Sequence, residues 1–186
     1  LQNGKKTKLP RKYSIKSGII HSTIQNSFMK VELKSTTYFD KYGELETVEE
    51  TSEIEMMGQK VKTHQLRITR DGFIHTIDMI KKTGAKAPIV SFEDLNSFDF
   101  SKFNKETLSK WNIEELPDET YLGKKCKVTT FNNKTMKGKV LVWQGITLYS
   151  EIDVSGMNIK SVANKIETNI NINKSIFEIP KDIKFY

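Results

Sequence analysis

The sequence predicts a mainly β protein with a small helical insert: a single wide antiparallel sheet that curls, with short helices closing its concave side. Most segments alternate apolar and polar side chains with a period of two, which is typical of strands with one solvent-exposed face. Turn-forming residues separate these segments at intervals suited to hairpins, and the alternation breaks off between residues 91 and 112. We expect about nine or ten antiparallel strands in sequence order, and a sheet of that width tends to curl.

The strands before the insert are predicted from local patterns. Residues 31–39 alternate strictly, and the stretch "FDKYGELE" then supplies a turn. The following strand continues to Met56, but its apolar face is weak because glutamate and threonine dominate it. Asp71 and Gly72 predict a tight hairpin, since both residue types tolerate the positive φ angles of such turns. Residues 73–80 are apolar on both faces, which predicts a central strand covered from both sides.

A helical insert is predicted where the alternation stops. Asn104 is a suitable N-cap for a helix over residues 105–112, in which Leu108 and Trp111 are spaced three apart on one side. A second short helix is expected from Ser91. Four of the ten phenylalanines fall within twelve residues of this segment: Phe92, Phe98, Phe100 and Phe103. So much aromatic surface is expected to lie against something large and apolar.

The chain after the insert returns to strands. We expect strands over residues 124–131, 139–144 and 146–154, and the last of these shows the clearest alternation. Residues 157–172 fit the spacing of either a helix or a strand, and their isoleucines and threonines favour the strand. Pro180 is expected to end the ladder of the sheet, because proline has no backbone N–H to donate.

Composition limits the class of protein. The 186 residues fit one domain, expected to cover residues 1–186. The formal net charge is +7, and a basic N-terminal arm, residues 1–12, is interpreted as solvated, with an anionic membrane surface as its candidate partner. The single cysteine, Cys126, excludes an intrachain disulfide and is interpreted as a buried, inert thiol. No apolar run reaches the roughly eighteen residues that a membrane-spanning helix needs.

Several stretches, taken in order, resemble the LolA-like lipoprotein carrier superfamily. In the second half they are "DETYLGKKCKVTTF", "KVLVWQGITLYSEIDVSG", "VANKIETNINI" and "SIFEIPKDIK". Near the start, "SGIIHSTI" and "TTYFDKYGELE" are similar to an uncharacterised envelope branch of that superfamily. The resemblance implies an incomplete barrel closed by helices around a hydrophobic cavity for acyl chains or a lipidated partner. It also implies a periplasmic or cell-envelope location in a Gram-negative bacterium, and the location rests on the resemblance alone.

Two hypotheses for function follow. The preferred one is a non-catalytic envelope protein that binds a lipid, an acyl chain or a lipoprotein on the concave face, with residues 91–112 as a lid or plug. The candidate residues lining such a cavity are Phe73, Phe92, Leu95, Phe98, Phe100, Phe103, Leu108, Trp111 and Trp143. The alternative is a sensor or adaptor that binds another envelope protein through its sheet edge or basic arm. In that case the protein's own side chains fill its core, and the sequence leaves the choice open.

No pattern in the sequence indicates catalysis, a metal or a cofactor. His21, His64 and His75 are isolated from one another and lack the spacing of metal ligands. Glutamates of the predicted strand that ends at Met56 are interpreted as a solvated acidic face: Glu44, Glu46, Glu49, Glu50, Glu53 and Glu55. There is no nucleophile elbow or phosphate-binding glycine loop, and no strand interleaves basic and aromatic residues as nucleic-acid binding requires. We expect neither an enzyme nor a nucleic-acid partner, and the oligomeric state is not indicated.

Overall fold

The computed structural model describes residues 10–27, 31–56 and 58–186, which form twelve strands and one short α-helix. The strands are β1 (Gly18–Asn26), β2 (Val31–Asp40), β3 (Leu45–Met56), β4 (Gln59–Arg70), β5 (Phe73–Asp78), β6 (Thr83–Pro88), β7 (Asn112–Tyr121), β8 (Lys124–Asn132), β9 (Met136–Trp143), β10 (Ile146–Val154), β11 (Met157–Thr168) and β12 (Lys184–Phe185). The helix is α1 (Lys105–Ser109), and 3-10 turns lie at Lys41–Gly43, Glu93–Leu95, Phe100–Lys102 and Lys174–Phe177.

All twelve strands belong to one open sheet, in the order β12-β6-β5-β4-β3-β2-β1-β11-β10-β9-β8-β7. Two antiparallel meanders, β1 to β6 and β7 to β11, are joined where β1 pairs with β11 and Ile20 lies opposite Ile166. The short strand β12 runs parallel to β6. The predicted class, a curled sheet with little helix, is confirmed. The strands follow the order of the chain within each meander, but β1 lies between β2 and β11.

Tight turns fix the register of the hairpins. Asp71 and Gly72, between β4 and β5, have φ angles of 54° and 79°, as the sequence predicts for that hairpin. Gln144 and Gly145, between β9 and β10, have φ angles of 53° and 81°. Two successive positive φ angles are characteristic of the two-residue turn whose twist matches that of the flanking strands. Glycine at the second position adopts this conformation without the steric cost that a Cβ would impose.

Apolar side chains pack on both faces of the sheet. Along β9, Val140 and Val142 point to one face and Leu141 points to the other, because side chains alternate along a strand. Leu141 packs in one buried cluster with Val128 of β8. Val140 and Val142 pack in a second cluster together with Phe131 and residues of the insert. The face that carries Val140 and Val142 is called the insert face below.

Four strands have no counterpart among the predicted ones: β1, β6, β7 and β12. β7 contains Pro117 and has a register shift between Leu116 and Glu119, so its alternation is hidden in the sequence. β6 has few apolar residues and borders the sheet for most of its length. The prediction that Pro180 ends the ladder is wrong, because Lys184 of β12 rejoins the sheet beside β6. That pairing depends on contacts between distant parts of the chain, which a local pattern does not contain.

The prediction for residues 73–80 also needs correction. β5 ends at Asp78, and Ile80 lies in the following turn with 61% of its surface exposed. Within β5, His75 and Ile77 are buried, whereas Thr76 between them is exposed. Because the buried side chains, His75 and Ile77, lie on the same face and Thr76 on the opposite face is exposed, the strand is covered on one face, not on both.

Candidate functional site

The insert, residues 91–112, places aromatic rings against β8 on the insert face. Phe98 stacks on Phe131, with ring centres 6.0 Å apart and ring planes 9° apart. The ring centres of Phe100 and Trp111 lie 5.5 Å and 5.2 Å from that of Phe131. Phe103 meets Phe100 edge-on at 5.1 Å. These separations are those of rings in direct contact, and the five residues are called the aromatic cluster below.

Short turns hold the insert in place. The Asn104 side chain accepts a hydrogen bond of 2.8 Å from the N–H of Thr107, which caps α1 as predicted. The helix ends three residues before Asn112, the first residue of β7, and is therefore shorter than expected. The helix expected from Ser91 is a single 3-10 turn over Glu93–Leu95. The insert therefore consists of two 3-10 turns and one short helix that pack against the sheet.

The other candidate residues of the insert lie beside the aromatic cluster. Phe92 and Leu95 are buried, and Phe92 meets Phe103 edge-on at 6.0 Å. Leu108 is half-buried and packs against the same group of side chains. Six of the seven insert candidates therefore lie together, and the N–H of the seventh, Leu95, donates a hydrogen bond of 3.0 Å to the carbonyl of Phe92.

The two candidates from the sheet lie elsewhere. Trp143 packs against the Leu141 cluster, with the Lys124 ammonium 4.6 Å from its ring centre. Phe73 stacks with His75 at 6.5 Å on β5. Neither ring joins the aromatic cluster, because their strand positions direct them to other neighbours.

A polar cavity of about 130 Å³ lies beside the insert. Its walls include the turn glycine Gly145 and the insert residues Asn96 and Ser97. The sheet and the chain before it contribute three apolar side chains, Ile20, Val48 and Ile146, and nine polar ones: Lys12, Tyr13, Ser22, Ser35, Thr37, Glu46, Arg67, Thr147 and Ser161. Cavities that hold drug-sized ligands measure about 300–1,000 Å³, whereas this one has the volume of about four water molecules.

Glu46 organises one wall of this cavity. The Lys12 ammonium donates to both carboxylate oxygens of Glu46, at 2.8 Å and 2.7 Å. The Tyr13 hydroxyl donates to Oε2 at 2.5 Å, and Nη2 of Arg67 donates to Oε1 at 3.4 Å. Lys12 and Glu46 are 6% and 1% exposed. These four residues are called the Glu46 cluster below.

The Glu46 cluster corrects two predictions. Residues 1–9 of the basic arm lie outside the described residues, but Lys12 is buried and not solvated. Glu46 does not belong to a solvated acidic face, because it shares the inward-facing side of β3 with Val48. Glu46 and the apolar Val48 are two residues apart and therefore lie on the same face of the strand. This spacing was the sequence signal for the burial of Glu46. Its partner Lys12 lies 34 residues earlier, which no local pattern reveals.

The environment of the Glu46 cluster sets its charges. Burial by itself would raise the pKa of Glu46, but the charges of Lys12 and Arg67 and the hydrogen bonds that Glu46 accepts outweigh it and lower the pKa. Burial, reinforced by the charge of Glu46, raises the pKa of Tyr13 well above its usual value. At neutral pH the carboxylate is therefore charged and the phenol is neutral.

The remaining titratable groups form no catalytic arrangement in the part of the chain that the structure describes. Nε2 of His64 lies 2.7 Å from Glu49 on a half-exposed strand surface. Burial lowers the pKa of His75, whose ring nitrogens have no hydrogen-bond partner. Burial raises the pKa of Cys126, which is fully buried. Among the described residues, no group of three or more histidine, cysteine, aspartate and glutamate side chains is placed to bind a metal ion.

A second, open groove of about 400 Å³ lies where the ends of β1, β2 and β11 meet. Val31 is its apolar wall residue. The other walls are polar or charged: Gln25, Asn26, Ser27, Glu32, Asn158 and Lys160.

Over the described ranges, no helix has the length and apolar character to cross a membrane.

The two edges of the sheet differ in how they are protected. Along the β7 edge, acidic side chains, Pro117 and a register shift oppose pairing with another strand. At the other edge, β12 pairs with Thr83 and Gly84, so the exposed residues Ala85–Pro88 border the sheet. We call this stretch the β6 edge. Tyr186 beside it is 80% exposed.

No protein-family model matches the chain, and no curated protein is similar to it in sequence. Solved structures share its fold. An uncharacterized conserved protein from Thermus thermophilus superposes with a TM-score of 0.56 at 9% identity, over 92% of this chain and 90% of that one. A structure of MucB gives 0.55 at 9% identity, over 94% of this chain and 62% of that one.

The complex of MucA and MucB from Pseudomonas aeruginosa gives a TM-score of 0.54 at 11% identity, over 89% of this chain and 56% of the matched one. This chain therefore spans 55% to 62% of the chains that it matches in the MucB structures. At these identities the likeness concerns the fold. The open, curled sheet expected from the LolA-like resemblance is the fold observed, while function depends on the site.

Proposed function

We propose that the protein is a non-catalytic cell-envelope protein of the sensor or adaptor kind, which binds another protein and whose core is filled by its own side chains. The observation that carries this proposal is the insert face, where the aromatic cluster is packed and the adjacent cavity of about 130 Å³ is polar. An acyl chain gains about 0.8 kcal/mol for each CH₂ removed from water, which requires an apolar space. The MucA/MucB complex, formed by a protein of the same fold, supports a protein partner. The LolA-like resemblance supports a Gram-negative envelope location.

The surface that we assign to the partner is the β6 edge. The carbonyl oxygens of Lys82 and Gly84 accept hydrogen bonds from the N–H groups of Lys184 and Tyr186. Because backbone groups alternate in direction along a strand, the N–H and C=O of Lys86 point to the same side, beyond the end of β12. An extended segment of a partner can therefore continue the row of hydrogen bonds that β12 begins.

The side chains around the β6 edge define the chemistry of that segment. Lys82, Lys86 and Lys184 are exposed along this border, so an acidic segment fits it. Tyr186, which donates its N–H to the carbonyl of Gly84, is 80% exposed and offers an apolar contact to a side chain of the segment. We therefore assign an acidic, partly apolar, extended segment as the partner.

Site-specific photo-crosslinking in the cells that make the protein tests this assignment. A photoreactive phenylalanine analogue at Ala87 on the β6 edge is expected to give one discrete protein adduct. The matched control places the analogue at Thr120, which is exposed on the β7 edge. Lys86→Glu is expected to weaken the Ala87 adduct, since it opposes an acidic partner. No adduct from Ala87, or equal adducts from both positions, contradicts the assignment.

The second candidate function is binding of a hydrophobic ligand, with the nine predicted residues as the proposed lining. The observation that favours it is the construction of the insert from short turns, with six of its seven candidate residues in contact on one site. This function requires the insert to move off the sheet, because the aromatic cluster occupies the insert face.

Tryptophan fluorescence distinguishes the two candidates. Trp143→Phe leaves Trp111, in the aromatic cluster, as the single tryptophan of the chain. Ligand binding requires a saturable one-to-one change of its emission on titration with oleate, abolished by Phe98→Asp and retained by Phe185→Asp at the sheet edge. The adaptor proposal requires no saturable change.

A further inference from the structure

The side chain of His75 is buried beneath the short strand β12. It is 4% exposed and lies on the same face of β5 as the buried Ile77. The Phe73 ring stacks with its imidazole at 6.5 Å, and the Phe185 ring of β12 meets it edge-on at 5.8 Å. Neither ring nitrogen has a hydrogen-bond partner among the described residues. The imidazole therefore lies between two aromatic rings in a site suited to its neutral form.

The charged groups around His75 also oppose a positive charge on it. Lys86, its partner in register on β6, and Arg70, at the end of β4, are cations, whereas Asp71 in the following turn is an anion. From β12, Phe185 contributes a ring without charge. Burial, together with the charges of Lys86 and Arg70, lowers the pKa of His75 from its ordinary value of 6.5. A protonated imidazole has two N–H donors, so it is better accommodated where water reaches it.

β12 is the part of this enclosure that leaves most easily. It is two residues long, and the N–H groups of Lys184 and Tyr186 hold it to carbonyl oxygens of the β6 region at 3.0 Å and 3.2 Å. Its Phe185 side chain, which packs over Gly84, is 39% exposed. β5, in contrast, is paired on both sides. Short segments with few buried contacts open at a low cost in free energy, so departure of β12 is the accessible way to hydrate His75.

We propose that His75 is a pH switch whose protonation releases β12 and thereby lengthens the β6 edge to include Thr83 and Gly84. Release frees the carbonyl oxygens of Lys82 and Gly84, which gives an extended partner segment a longer row of backbone groups. This regulatory role rests on the proposed function, whereas the release itself does not. The closed form is favoured fully above pH 6.5, where His75 is neutral in both forms. As the pH falls from 6.5 to the lowered pKa of the closed form, the released form gains at most about tenfold per pH unit.

Fluorine NMR of the isolated protein, with 4-fluorophenylalanine at position 185, tests the release. Between about pH 8 and pH 5 we expect the signal to change from that of a packed ring to that of a hydrated one. His75→Leu, uncharged and of similar volume, is expected to keep the packed signal. The matched control His64→Leu, at a half-exposed histidine on β4, is expected to respond as the wild type does. A label at Phe98 in the aromatic cluster is expected to remain unchanged. An unchanged signal in the wild type, or the same change in His75→Leu, overturns the proposal, and an equal response of the Phe98 label assigns the change to unfolding of the whole domain.

A second measurement decides the case if His75→Leu fails to fold. NMR titration of the His75 ring gives its pKa in the wild-type protein and in Phe185→Ala, which removes the ring that covers it. Because linkage is reciprocal, we expect the pKa to be below 6.5 in the wild type and to rise toward that value in Phe185→Ala. The same pKa in both proteins refutes the switch. Both measurements use the protein without a partner, so the absence of an Ala87 adduct contradicts the proposed function and leaves the release of β12 standing.

Discussion

Glu46→Gln removes the negative charge at the centre of the Glu46 cluster with little change of shape. The side chains of Lys12 and Glu46 are 7% and 1% exposed, so the substitution leaves a buried ammonium opposite a neutral amide. Removing one partner of a buried ion pair costs about 3–5 kcal/mol. The free energy of unfolding of a domain is about 5–15 kcal/mol, so the variant is expected to be marginally stable.

Urea denaturation followed by circular dichroism measures this loss. With a denaturant dependence of about 2 kcal/mol per molar urea, the midpoint is expected to fall by about 1.5–2.5 M. The matched control is Glu49→Gln on the same strand, which removes a carboxylate paired with His64 at 2.7 Å but 38% exposed. Exposed pairs contribute about 0–1 kcal/mol. Equal losses in the two variants, or a loss below about 1 kcal/mol in Glu46→Gln, would refute the reasoning.

The difference in unfolding free energy between the wild-type protein and Glu46→Gln is expected to depend on pH. The pKa of Glu46 is lowered in the folded state from an ordinary value of 4.5, so its stabilisation is fully present above that value. It is lost as the pH falls through the lowered folded-state pKa, because the native carboxylate then takes up its proton. The difference in unfolding free energy between wild type and Glu46→Gln is therefore expected to be constant at neutral pH and to shrink in acid. A difference that grows in acid has the wrong sign for this account.

Three further perturbations test separate parts of the structure. Gly145→Ala places a Cβ against a backbone carbonyl oxygen at a φ of +81°, whereas Gly156→Ala, at +90°, meets open space. Denaturant midpoints should therefore show a loss of about 1–2 kcal/mol for Gly156→Ala and a clearly larger one for Gly145→Ala. Phe131, which is 2% exposed, is the ring that the other members of the aromatic cluster contact. Phe131→Ala is expected to lower the free energy of unfolding by about 3–5 kcal/mol in the same assay. A loss below about 1 kcal/mol would mean that the cluster is not packed. The hydrogen bond to Glu151 raises the pKa of Tyr149 to about 12, and Glu151→Gln is expected to lower it in a phenolate absorbance titration referenced to Tyr149→Phe.

Local chemistry accounts for the parts of the fold that the sequence predicts well. The bounds of β10, residues 146–154, follow from alternation that one strand displays by itself. The Asp71–Gly72 turn follows from two residue types that tolerate positive φ angles. The cap at Asn104 likewise depends on a side chain and an N–H three residues apart. In each case the stabilising partner lies within a few residues of the signal.

Contacts between distant residues explain what the sequence does not reveal. The pairing of β1 with β11 joins residues more than a hundred positions apart, such as Ile20 and Ile166. The burial of Lys12 depends on Glu46, 34 residues away, and a lysine after a basic run has the local appearance of a solvated side chain. The five aromatic candidates of the insert could be found from their density, and Leu95 and Leu108 from their spacing of three residues to Phe92 and Trp111. Whether they line a space or fill it depends on how closely Phe131 of β8 approaches them.

The central claim is that the aromatic cluster fills the insert face and leaves no room for a lipid. Native mass spectrometry of the protein purified without denaturant from the cells that make it tests this claim most directly. We expect the mass of the polypeptide, alone or with a protein partner, and the same lipid-free spectrum for Phe98→Asp and its exposed control Phe185→Asp. A stoichiometric lipid on the wild-type protein and on Phe185→Asp, but not on Phe98→Asp, would contradict the claim and establish the hydrophobic ligand.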